Sequence, residues 1–462
     1  MTTLQPHPTS ADALAALPDA TRARVERLAA AADERGLGLF LVGGPVRDLL
    51  LGRPLRDADL TATAPIGSLP GVDTEALAHA AALPGDRVVS HGRFGTVRIE
   101  LPAGVTLDVA TVRSETYAAP GALPDVAAGT LEQDLRRRDF TLNALALALN
   151  AKASADGALI DPGGGVADLA TGELRVFHAA SFRDDPTRAF RAARFAARLG
   201  FTLARESRSA LRSALRSGAF GAVSGERFAA ELEKLFTEAD PVRALALLHE
   251  WHVLPALEPG LTLPRAALGP LRRLPRATVA NRGEAPVRPW VVGLMVWLSA
   301  LPVPLARRTL ARLAIRGAIA TRIAGFARTR ETVVRALSAA RGRAAIDAAL
   351  RPLPVEELSA LLAWAPAGER RRIERHAAED RELVLPVTGD DLIAAGLAGP
   401  EIGRALARIR AALLDRAIAT REEALLLARE LAAGARRENA KPGAGAARRR
   451  RKPNALPRRR PQ

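Results

Sequence analysis

The 462-residue sequence predicts a two-part chain: an α/β domain over residues 1–150, then an all-helical remainder. Three observations carry that reading. Short apolar runs alternate with helical patterns from Leu37 to about Asn150. Strand signals fade after Asp161, where apolar residues recur at helical spacing. With 48% hydrophobic residues the chain is too long for one compact core and long enough for several.

The elements follow in order. "LGLFLVGG" (37–44) is a strand ending in Gly-Gly, and "PVRDLLLG" (45–52) opens a helix with proline in its first turn. "RDADLTAT" (56–63) is a second strand. "DRVVSHGRFGTVRIELPAGVTLDVATVR" (86–113) reads as two more, broken at the turn-forming "PAG". Thr130 and Gln133 form a capping box for a helix in "TLEQDLRRRDF" (130–140), and "FTLNALALAL" (140–149) reads as a further helix. Beyond it, "TRAFRAARFAARLGF", "ERFAAELEKLF", "PVRALALLHEW" and "PEIGRALARIRAALL" are amphipathic helices. No fixed-period repeat is present, which favours packed bundles over a solenoid.

Composition narrows the chemistry. There is no cysteine, which excludes disulfides, thiolate zinc sites and a thiol nucleophile, and fits a reducing cytosol. The N-terminus lacks the pattern of a secretory signal, and the most apolar run, "WVVGLMVWLSAL" (290–301), is too short to span a bilayer; a cytoplasmic protein with no membrane partner is expected. Of the net charge of +17, residues 436–462 hold +10, in a segment without apolar periodicity that is expected to be a disordered basic tail. Only four basic residues are lysine; the arginine excess suits phosphate recognition and equally fits a GC-rich genome.

Four stretches bear candidate chemistry. "GGPVRD" sets Gly43, Gly44 and Arg47 at a strand–helix join, either an anion site or an ordinary turn. "DADL" puts Asp57 and Asp59 on one side of an extended chain, and Asp108 in "TLDVAT" offers a third carboxylate; the pair is either a solvated strand end or a Mg²⁺ site able to activate a hydroxyl. In "RRRDFTLNA", three arginines ending at Arg138 can clamp a triphosphate. Asp139 and Asn143 share a helix face fit for ribose hydroxyls, or Asp139 is a helix cap. In "DDPTRAFRAARF", Asp185 and Arg188 stand one turn apart. They can read the amino donor and ring-nitrogen acceptor shared by cytosine and adenine, with Arg191 and Arg194 continuing toward phosphates; otherwise Asp185–Pro186 is an N-cap.

In this order the motifs closely resemble the class II tRNA nucleotidyltransferase and bacterial poly(A) polymerase family, within the polymerase-beta-like nucleotidyltransferases. "LVGGPVRDLLLGRPLRDADLTAT", "LEQDLRRRDFTLNALAL", "DDPTRAFRAARFAARLGF" and "SGERFAAELEKLF" carry the match over roughly residues 37–240, with "TGDDLIAAGLAGPEIGRALARI" similar to the family's tRNA-binding tail. The resemblance implies a nucleotidyltransferase head (1–150), a base-recognising helical neck (151–245), a helical body (246–380), a tRNA-binding helical tail (381–435) and the basic extension (436–462). It assigns Asp57, Asp59 and Asp108 to two Mg²⁺ ions. Gly43, Gly44, Arg47 and Arg138 fall to the triphosphate, Asp139 and Asn143 lie beside it, and Asp185 and Arg188 fall to the base with Arg191 and Arg194 nearby. The implied activity is untemplated addition of C, A or both to a tRNA 3′ end from CTP and ATP, releasing pyrophosphate. A poly(A) polymerase is the alternative, and a non-catalytic RNA-binding protein a third reading that the intact carboxylates oppose. Pro45 and Asp184 depart from the family pattern, as a small residue and Glu are usual there. The segment 114–129 has the length of the family's flexible loop, which is shortened in members adding only CC. No metal-hydrolase His-Asp pair is present, so no phosphohydrolase activity is expected.

Overall fold

Gly38–Val42 (β1) is buried along its whole length, as a strand covered on both faces must be. It lies within a seven-stranded mixed sheet in a computed structural model that describes Leu4 and residues 8–55, 58–64, 72–91, 95–119, 121–122, 124–154, 158–277, 279 and 286–439. Asp57 lies outside the described residues, as does the tail from 440 onward.

Two N-terminal helices, Ser10–Ala16 (α1) and Asp19–Glu34 (α2), precede β1. Gly44–Leu50 (α3), Ala58–Thr63 (β2), Thr74–Ala81 (α4), Arg87–His91 (β3), Thr96–Glu100 (β4) and Thr106–Thr111 (β5) follow. Arg113–Thr116 (β6) and Asp125–Ala128 (β7) make a separate antiparallel hairpin. Leu131–Arg136 (α5), a 3₁₀ turn at Thr141–Asn143, Ala146–Ala148 (β8) and Leu159–Ile160 (β9) complete the mixed sheet, whose order is β3-β4-β5-β2-β1-β8-β9. Its last strand lies beyond residue 150. β2 and β5 run parallel, with Asp59 opposite Asp108, and β4 pairs antiparallel with β5, setting Arg98 opposite Asp108.

From here the chain is helical except for two short strands, Glu173–Leu174 (β10) and Thr202–Leu203 (β11). The helices are Gly165–Thr171 (α6), Ser181–Asp184 (α7), Arg188–Leu199 (α8), Arg205–Arg216 (α9), Ala219–Ala222 (α10), Gly225–Phe236 (α11), Pro241–Glu250 (α12), Val253–Leu257 (α13), Arg265–Arg273 (α14), Pro289–Leu298 (α15), Val303–Arg312 (α16) and Gly317–Ala339 (α17). The chain divides into two units: residues 1–277 with 288–327, and residues 278–287 with 328–462. The second holds Gly342–Leu350 (α18), Val355–Trp364 (α19), Ala367–Arg375 (α20), a π turn at His376–Asp380, Gly389–Ala394 (α21), Pro400–Leu414 (α22) and Arg421–Asn439 (α23). An α/β head followed by helices is therefore the observed class. Within the described residues, no helix is long and apolar enough to cross a membrane, and "WVVGLMVWL" is the buried core of α15.

Three local expectations are corrected. Residues 86–113 hold three sheet strands, β3, β4 and β5, because the apolar run before "PAG" is two antiparallel strands instead of one. "FTLNALALAL" is a 3₁₀ turn and a strand. β1 and β9 pair along its two edges and both of its faces are buried, which overrides local helix propensity. Residues 436–439, assigned to the disordered tail, finish α23.

Candidate active site

Gly43 caps α3 at φ 73°, ψ −126°, a backbone state that side-chain-bearing residues avoid. A Cβ there would meet Arg138 Nη1 at 2.7 Å, so the guanidinium lies directly against the turn. Gly44 differs: its Cβ would meet only Arg47 Nη2, at 3.6 Å. Pro45 falls in the first turn of α3, where its missing N–H has no helical partner to lose.

Arg47 is buried and bonded through each of its three guanidinium nitrogens. Its Nη1 donates to Asn143 Oδ1 at 2.6 Å, and Nε and Nη2 donate to the Asp48 carboxylate. Asn143 Nδ2 donates onward to Asp139 Oδ1 (3.0 Å), and Arg191 Nε, on α8, donates to Asp139 Oδ2 (2.8 Å). A continuous chain of charge-assisted bonds thus runs from α3 through the 3₁₀ turn to α8. Burial pushes the Asp139 carboxyl up, but the Arg191 charge and the Asn143 and Arg191 hydrogen bonds outweigh it and hold the group below its usual value. The Phe195 ring sits among three guanidinium carbons, those of Arg47, Arg191 and Arg198, at 5.4, 5.8 and 5.7 Å. Asp139 and Asn143 do meet, across the 3₁₀ turn instead of along a helix face. Asp139 also accepts from the Phe140 N–H.

The capping box Thr130–Gln133 is present at α5. Of the three arginines after it, Arg136 turns outward to Glu132, and Arg137 is taken by Asp134 and Glu115. Only Arg138 reaches the Gly43 turn. It makes one ion pair, to Asp134 at 3.1 Å, and its Nε is buried without a hydrogen-bond partner.

Asp185 and Arg188 are not on one helix. Pro186 intervenes, and Asp185 is the extended residue after α7, its Oδ1 accepting from Thr187 N and Oγ1. Arg227 of α11 donates to Asp185 Oδ1 (2.9 Å) and to the Gly121 carbonyl (2.8 Å), while Gly121 N–H donates to the Asp184 carbonyl. Arg188 is buried, donating to Ser181 Oγ and the Arg137 carbonyl. The two side chains are therefore fixed separately. Arg194 is not brought to this group: Glu231 and Glu238 hold its guanidinium.

On the open face of the sheet, Asp59 and Asp108 are cross-strand neighbours in the parallel ladder. Asp59 is exposed and the Asp108 side chain is one-third exposed. Arg98 forms a fork on Asp108, Nε to Oδ1 at 2.7 Å and Nη2 to Oδ2 at 2.8 Å, which holds the Arg98 guanidinium above its ordinary pKa. Adjacent, hydrated carboxylates with oxygen donors fit a hard divalent cation. Sequence reasoning missed Arg98, Asp134, Ser181, Phe195, Arg227 and Glu231. Arg227 lay in view in "SGERF", but Arg98 becomes visible only once the β4–β5 register is known.

Comparison with known proteins shows which family the chain is similar to. A family described as "Poly A polymerase head domain" matches residues 39–175, and "Probable RNA and SrmB- binding site of polymerase A" matches 200–263. The A-adding tRNA nucleotidyltransferase of Geobacter sulfurreducens is 35% identical over 90% of this chain and 48% of its own length. The CC-adding tRNA nucleotidyltransferase of Deinococcus radiodurans is 36% identical over 80% of this chain and 83% of its own. A solved structure of a CCA-adding enzyme, apo form II, superposes with a TM-score of 0.74 at 28% identity, covering 93% of this chain and 100% of that one. The chain thus spans about half the length of the Geobacter relative and most of the Deinococcus one. With that coverage, the protein belongs to the tRNA nucleotidyltransferase and bacterial poly(A) polymerase family.

Proposed function

We propose that the chain adds C, A or both to a tRNA 3′ end from CTP and ATP. The observation that carries this is the bonded chain Arg47–Asn143–Asp139–Arg191, which ties the Gly43–Gly44 turn to the helix bearing Arg188. A phosphate-sized anion against the turn and a base against Asp185 and Arg188 then belong to one ligand. Arg138 takes the triphosphate with the turn; Arg47 holds Asn143; Asp139 and Asn143 receive the ribose; Asp185 accepts the exocyclic amino group while Arg188 donates to the ring nitrogen. Arg194 braces Glu231 and Glu238.

In the reaction the 3′ hydroxyl oxygen gives up its proton to solvent and forms a bond to the α-phosphorus, the bond to the α–β bridging oxygen breaks, and pyrophosphate leaves. Asp57, Asp59 and Asp108 would hold Mg²⁺, in the two-metal arrangement, which supplies activation of the hydroxyl and neutralisation of the leaving charge. The residues of the chain orient the nucleotide and select its base. The basic segment 436–462 adds backbone affinity for RNA, and the site of action is the cytoplasm.

The test offers purified protein tRNA transcripts ending before CCA, after C and after CC, each with CTP, ATP or both, and reads product length. Growth that stops at CCA supports the proposal, and the ends accepted give the residues added. Long A ladders without CTP use would make the protein a poly(A) polymerase.

A further inference from the structure

Arg98 is absorbed by no step of that reaction, yet its position is fully specified. Val97 and Ile99 on either side are buried, so alternation forces Arg98 onto the open face of the sheet, in one row with Asp108 and Asp59. Both Asp108 oxygens accept from the same guanidinium. The acidic residue of β4 itself, Glu100, is taken by Arg87 through two bonds to Oε2, so Arg98 is not drawn away.

We propose that Arg98 is a positioning residue that stands in for a divalent cation at Asp108, so that metal loading is an exchange of guanidinium for metal. The proposal rests on the metal reading of Asp59 and Asp108. Bidentate pairing keeps the carboxylate aimed across the sheet face when no ion is bound, and cancels the repulsion between Asp108 and Asp59. The pair is 41% and 33% exposed, which makes it exchangeable, since solvent-exposed pairs contribute little. Its cost is a lower apparent affinity for the ion.

The experiment titrates the full-length metal-free protein with Mn²⁺ and reads free Mn²⁺ by electron paramagnetic resonance, with no nucleotide or RNA present. Arg98→Ala and Arg98→Gln, the second retaining the stem, should bind Mn²⁺ roughly three- to tenfold more tightly than the parent, the equivalent of one exposed bidentate pair. Arg87→Ala removes the same charge from the neighbouring strand without touching Asp108 and should shift affinity by less than about twofold. If Arg98 variants bind no more tightly than Arg87→Ala while Asp108→Asn weakens binding, the exchange is wrong and the metal reading stands. If Asp108→Asn binds like the parent, both fall.

Discussion

Gly43 and Gly44 are indistinguishable in sequence and should behave oppositely when changed to alanine. Gly43→Ala forces a side chain into φ 73°, ψ −126°, at about 1–3 kcal/mol. Its methyl would also stand 2.7 Å from Arg138 Nη1. That atom is the end of a long side chain and yields, but only by leaving the Gly43 turn. At about 2–4 °C per kcal/mol for a domain of 150–250 residues, the strain lowers the melting temperature by roughly 2–12 °C. Loss of one charge-assisted contact to phosphate, ~1.5–3 kcal/mol, lowers kcat/KM by roughly 10- to 150-fold. Gly44→Ala sits in the first turn of α3 with only an ordinary 3.6 Å contact, and should melt within a degree or two of the parent or slightly above it. Thermal unfolding by circular dichroism and single-nucleotide addition to a tRNA ending before CCA measure both. Equal melting points and equal activity in the two variants would refute the reasoning.

Three further perturbations test other parts of the structure. Arg227→Ala releases the Asp185 carboxylate and the Gly121 carbonyl together; kcat/KM for CTP and ATP should fall by roughly 5- to 30-fold, from ~1–2 kcal/mol of lost positioning, with the melting point nearly unchanged. In the second unit, Asp347→Ala strips the partner from buried Arg410 and from His376 and should cost about 3–5 kcal/mol in a denaturant melt, whereas Arg351→Ala, on the exposed side of the same carboxylate, should cost under about 1 kcal/mol. Asp391 is held down to about 2 by the Thr388 N–H, with the Arg421 and Thr388 side chains adding to the effect. Because this lies below its ordinary value of 3.8, its stabilising effect is complete above that pH and is lost as pH falls toward 2. Asp391→Asn should therefore flatten acid unfolding of the α21–α23 bundle in that window, followed by far-ultraviolet circular dichroism.

What the sequence revealed and what it hid divide along physical lines. α8, α11, α12 and α22 were legible because each faces a core on one side only, leaving a 3.6-residue period. The capping box at Thr130 was legible because it needs only residues three apart. β8 was not: enclosed between β1 and β9, it shows no polar face, and Leu-Ala alternation suits helix and strand alike. Spacing also misled at Asp185 and Arg188, where Pro186 delays the helix and different partners fix each side chain. The Arg98–Asp108 fork depends on strand register, which no local pattern encodes.

The arginines of the first unit also constrain how a triphosphate is gripped. Arg47, Arg188, Arg191, Arg194 and Arg198 crowd one region, and mutual repulsion would open it if they were unpaired. Asp48, Asp139, Glu231 and Glu238 prevent this, and Phe195 stands among three of them. The pairing exacts a functional cost, because each N–H committed to a protein acceptor is one fewer for a phosphate. Arg47 commits three of its five N–H donors, one on each of Nε, Nη1 and Nη2. Arg138 commits fewer, with one ion pair, an unpartnered Nε and Nη1 against the glycine turn. Direct phosphate contact therefore falls first to Arg138, and Arg47 acts by holding Asn143 and, through it, Asp139. Arg138→Ala should raise KM for the nucleotide most. Arg47→Ala should lower kcat, because it unfastens the ribose-side residues without removing the phosphate's own donor. The reverse assignment, with KM following Arg47 and kcat following Arg138, would place the triphosphate on the α3 side of the turn.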